Sequence, residues 1–62
     1  MNFADMTPAQ QRYFAACFMG YHAKDETTRQ TFFNMRTDEA VKMTGAEHAA
    51  AHEAFRATRA FA

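Results

Sequence analysis

The fold turns on Thr44-Gly45-Ala46-Glu47. A threonine three residues ahead of a glutamate is a capping box: the hydroxyl accepts from the Glu47 amide while the carboxylate reaches back to the Thr44 amide. Such a box starts a helix, and it divides the C-terminal part of the chain into a short helix over 38–43 and a long one over 46–60. The alternative merges the two into one helix from Asp38 to Arg59, with Gly45 inside it at a cost of about 1 kcal/mol. The box favours the break.

Downstream of the box, Glu47 and Glu53 lie toward the N-terminal end of the helix and Arg56 and Arg59 toward its C-terminal end, which suits the helix dipole. Two stripes compete for the inward side. One carries Ala46, Ala50, Ala54, Ala57 and Phe61; the other carries His48, His52, Phe55 and Arg59. The alanine stripe is the smoother and is expected to meet a neighbouring helix, leaving the histidines on a wetter side.

Upstream, Thr37 reads as the cap of the 38–43 helix, with Asp38 placed to pair with Lys42. Asp25 caps a helix over 26–35 with Thr28, Phe32 and Met35 on one side, and Arg29 stands four residues from Asp25. Thr7-Pro8-Ala9-Gln10 repeats the capping box, with proline at the first helical position. The first helix is expected over 8–23, unless Gly20 ends it a turn early, with Phe14, Cys17, Phe18 and Tyr21 on one face. Residues 1–6 are expected to be loosely ordered. With no β alternation and no internal repeat, the class is all-α: a small bundle of three to four helices in a single domain, 1–62.

The packing material is unusual. The 62 residues contain no leucine, isoleucine or tryptophan and one valine, against seven Phe, two Tyr, five Met and fourteen Ala. So small a domain buries only about 60% of the surface its unfolded chain exposes, and small scaffolds often add a disulfide, a metal or self-association. One cysteine excludes an internal disulfide and fits a reducing compartment. Alanine-faced helices filled by Phe and Met point to a homo-oligomer. Seven basic and seven acidic residues leave no net charge, which argues against a nucleic-acid or acidic-membrane binder. The N-terminal residues lack the pattern of a signal peptide and no window is long and apolar enough to span a membrane. The expectation is a complete short reading frame acting in the cytoplasm, the host's if it is phage-encoded.

His48 and His52, at i and i+4, point the same way and could share a zinc ion, but a zinc site takes about four ligands. Residue 49 is alanine, so the metalloprotease pattern H-E-x-x-H is not met, and neither metal nor cofactor is expected. The chain has no serine and only two glycines, which excludes a serine nucleophile and a glycine-rich phosphate loop. Cys17 stands among aromatics, where a thiol is less acidic. No enzyme is expected.

The aromatics carry the functional reading. Adjacent helical residues point about 100° apart, so Tyr13 and Phe14 cannot share one narrow core, nor can Phe32 and Phe33. With Phe14 and Phe32 inside, Tyr13 and Phe33 are left outside. Tyr13, Phe33 and Phe55 become partner-binding anchors with Arg36 at the rim, residue types typical of interface hot spots. The reading is a protein–protein interaction module, such as a phage-type or accessory inhibitor that occludes a host protein through an aromatic and methionine-rich surface. The alternative is a helix-turn-helix DNA-binding regulator, against which Glu47 and Glu53 would repel phosphates.

Overall fold

A computed structural model of the chain describes residues 2–59. A 3₁₀ turn, Phe3–Asp5, precedes three α-helices: α1 (Pro8–His22), α2 (Glu26–Ala40) and α3 (Gly45–Arg59). Among the described residues there is no strand. The fold is a small all-α bundle.

Local chemistry places the helix starts. At α1 the Gln10 amide donates to Thr7 Oγ1 at 3.1 Å and the Thr7 amide to Gln10 Oε1 at 2.8 Å. At α3 the Glu47 amide donates to Thr44 Oγ1 at 3.1 Å and the Thr44 amide to Glu47 Oε1 at 2.9 Å. Asp25 Oδ1 caps α2, accepting from the Thr28 amide at 2.7 Å. The break at Thr44 therefore stands.

The expected boundary between 35 and 38 does not. Thr37 Oγ1 donates to the Phe33 carbonyl at 3.1 Å, a back-bond that a threonine makes inside a helix. No glycine or proline interrupts 35–38, and α2 takes in residues 38–40 of the expected third helix and ends at Ala40, leaving 41–43 in the turn before α3. Two expected ion pairs also change partner: Lys42 meets Glu39 at 3.3 Å instead of Asp38, and Arg29 meets Glu26 at 3.0 Å instead of Asp25.

Helix α1 is central. Both α2 and α3 pack on it, whereas α2 and α3 make little contact with each other. Gly20 lies within α1 and does not end it; a Cβ there would stand 3.4 Å from Phe32 Cβ, so α2 approaches closely at this point. Arg12 Nε donates to both carboxylate oxygens of Glu39, at 2.8 and 3.0 Å, clamping α1 to α2. Gln10 Nε2 donates to the Glu47 carbonyl at 2.9 Å, so one capping residue also ties α1 to the first turn of α3.

The core is Tyr13, Cys17, Ala51 and Phe55, with Phe14, Ala40 and Met43 against it. This overturns two expectations. Tyr13 is buried, at 3% exposure, and Phe14 only partly so. On α3 the histidine and Phe55 stripe turns inward, while Ala46 and Ala57 are exposed; Phe61, expected to extend the alanine stripe, lies outside the described residues. Burying one phenylalanine removes more apolar area from water than burying several alanine methyls, and a tyrosine hydroxyl satisfies the imidazoles that come with it. In the N-terminal segment Met6 is buried, and Phe3 sets its edge against Phe14 with ring centroids 5.7 Å apart. No helix among the described residues is long and apolar enough to cross a membrane.

Candidate functional site: an open trough between α2 and α3

Because α2 and α3 lean on α1 and hardly on one another, the space between them is an open trough. Tyr13, Cys17 and Tyr21 of α1 form its floor; Phe33, Arg36 and Val41 line the α2 side, and His48, His52, Phe55 and Arg59 the α3 side. Two lobes share Arg36. One, of about 380 Å³, lies over Cys17 between Phe33 and Arg59; the other, of about 680 Å³, lies over Tyr13 between Val41 and the histidines.

The first lobe carries concentrated positive charge. The Arg36 guanidinium stands 4.2 Å from the Phe33 ring centroid. That of Arg59 stands 4.6 Å from the Tyr21 ring and 5.9 Å from the Phe55 ring. Such stacking holds the guanidinium by its face and leaves its N–H edge available. Among the described residues neither arginine has an ion-pair partner, while Arg29, also on this lobe, is occupied by Glu26.

The second lobe is built around Tyr13. Its hydroxyl lies 3.0 Å from His52 Nδ1 and 3.0 Å from His48 Nε2. One phenol proton can serve only one of them, so with both rings neutral one nitrogen accepts from the hydroxyl and the other donates to it. Because the contacts use Nδ1 of His52 and Nε2 of His48, the network couples the two rings to the same tautomer, both protonated on Nε2 or both on Nδ1. Burial, with Cys17 adding to it, pushes the Tyr13 phenol up to about 12. Burial likewise raises the Cys17 thiol, against the opposing pull of Tyr13 and Arg36. Burial first, then the nearby Arg36 and His48, holds His52 below the ordinary imidazole range. Neither Tyr13 nor Cys17 is thereby prepared as a nucleophile at neutral pH.

The residues singled out from sequence come together here in altered roles. All four expected contact residues line the trough, but Tyr13 and Phe55, at 3% and 4% exposure, are built into it and do not project. Phe33, half exposed, and Arg36 form the α2 wall. The ring nitrogens of His48 and His52 that face each other converge on a phenol, and among the described residues no group of three His, Cys, Asp or Glu side chains is placed to hold a metal ion. The spacing of 48, 52, 55 and 59 was visible as a stripe; what it lines was not, and Tyr21 and Arg59 went unassigned for that reason.

Where the sequence outlined a short helix, a turn at Gly45 and a long helix, the structure has α2 and α3 in little contact with each other, with Glu47 Oε1 accepting from the Thr44 amide at the α3 start. No protein-family model, curated protein or solved structure matches the chain.

Proposed function

We propose that this protein is a non-catalytic binding module that receives a helix of another protein in the trough between α2 and α3. The single observation supporting this reading is the open seam: α1 has helices on two sides, and those helices leave between them a channel lined by Phe33, Tyr21 and Val41, each about half or more exposed. A helix laid there would complete a four-helix arrangement, a recurrent use of a hydrophobic groove. Its effect on the partner is occlusion, which needs no chemistry and fits a phage-type or accessory modulator in a reducing cytoplasm, where the buried Cys17 stays a thiol.

Affinity capture from a host lysate tests this, comparing the wild-type chain with Phe33→Glu in the trough and Met19→Glu outside it. The expected result is one stoichiometric protein recovered by wild type and Met19→Glu and lost by Phe33→Glu. Equal recovery by all three would place the binding surface elsewhere.

A further inference from the structure

The partner's chemistry can be deduced from what the trough would bury. Arg36 and Arg59 stand on opposite walls of the same lobe, each stacked on an aromatic ring and, among the described residues, without a carboxylate partner. A helix that covered them would take two guanidiniums out of water, and a buried charge left unpaired is strongly destabilising. A partner that fits must therefore bring anions to that lobe. The demand is local: the opposite end, around Val41, Ala40 and Ala49, has an apolar wall, and among its polar groups Tyr13 bonds to both His48 and His52 while Glu53, the acid on this lobe, is met by Arg56 at 3.9 Å.

Building on the reading above, we propose that the trough recognises an acidic amphipathic helix, with carboxylates seated against Arg36 and Arg59 and apolar side chains running toward Val41. From Arg29 to Val41 the α2 wall is about 18 Å long at 1.5 Å per residue, enough for roughly three turns of a ligand helix. Aromatic-backed guanidiniums without a carboxylate partner among the described residues suit carboxylates, which accept two parallel hydrogen bonds from one arginine. The whole chain is neutral, so this preference is set by where the charges stand.

The test uses the full chain, isotope-labelled for amide NMR, and two hydrocarbon-stapled helical peptides of about three turns that share a leucine and alanine stripe. One carries two glutamates at one end; the other carries glutamines there. The glutamate peptide is expected to shift the amides of Phe33, Arg36 and Arg59, to bind about tenfold or more tightly than its glutamine twin, and to weaken as salt rises. Replacing Arg36→Gln and Arg59→Gln together should erase the difference between the peptides. Equal binding of both in the trough would overturn the acidic preference while leaving helix docking intact. Failure of either peptide to perturb any trough residue would remove both. The comparison of two peptides on the wild-type chain does not depend on the double variant folding.

Discussion

At the scale of single residues, Tyr13 and Phe33 show how neighbours in sequence pattern part ways in structure. Both looked like aromatics left over from the core, yet one is almost wholly buried and the other half exposed. Phe55→Ala, in the core beside Tyr13, should cost about 3–5 kcal/mol, comparable to the whole stability of a chain this short at about 0.05–0.15 kcal/mol per residue. Its circular dichroism should be that of a largely unfolded chain. Phe33→Ala should change urea stability by less than about 0.5 kcal/mol, and a larger loss would mean Phe33 is structural. Tyr13→Phe removes the hydroxyl shared by the two imidazoles and should cost about 1 kcal/mol. Protonation tests the same network. The groups facing it are Tyr13 and Cys17 of α1, Arg36 of α2, and His48, Glu53 and Arg56 of α3. His52 is held below its ordinary value of 6.5, so the folded state binds fewer protons than the unfolded state. Its contribution to stability is full above pH 6.5 and is lost as pH falls from there through the folded value. In His52→Gln the loss of stability between neutral and mildly acidic pH should be shallower than in wild type. An identical slope would show that other groups set it.

The elements divide into those legible from local chemistry and those decided by packing. Both capping boxes, the Asp25 cap and the all-α class follow from residues three apart, whose hydrogen bonds close within one turn. Thr44→Ala should therefore cost about 1 kcal/mol in urea unfolding, and no loss would mean that Gln10, bonded to the Glu47 carbonyl, holds the α3 start alone. Where Thr37 misled, the reason is that a threonine hydroxyl accepts from an amide at a helix start and donates to a carbonyl in a helix interior, and composition does not distinguish the two. Gly20 misled in a related way. It reads as a terminator, but serves as an ordinary helical position beside Phe32. An added methyl would meet Phe32 Cβ at 3.4 Å, ordinary contact, so Gly20→Ala should raise stability by about 0.5–1 kcal/mol. A lower melting temperature would show that α2 needs the closer approach. The roll of α3 about its axis could not be read at all, because it depends on Tyr13 being available across the interface.

For the molecule as a whole, the placement of charge decides which surfaces can meet. Pairing two copies trough to trough would bring Arg36 and Arg59 of both into one interface, and like charges brought together in an interface cost several kcal/mol. A second apolar surface among the described residues lies across the bundle, where Ala15 and Met19 of α1 meet Phe32 and Met35 of α2. Its border carries Arg12 and Lys42 beside Asp38 and Glu39, two charges of each sign, which is the balance a two-fold symmetric contact can use because each patch must match itself. An interface of standard size, about 800 Å² a side, would take about a fifth of a surface of 4309 Å², so self-association and partner binding need separate faces on a chain this small. Sedimentation velocity is expected to show a concentration-dependent dimer that Met35→Glu dissociates and Phe33→Glu leaves intact. The opposite pattern would put the second copy in the trough, and the acidic helix would then have to compete with it for Arg36 and Arg59.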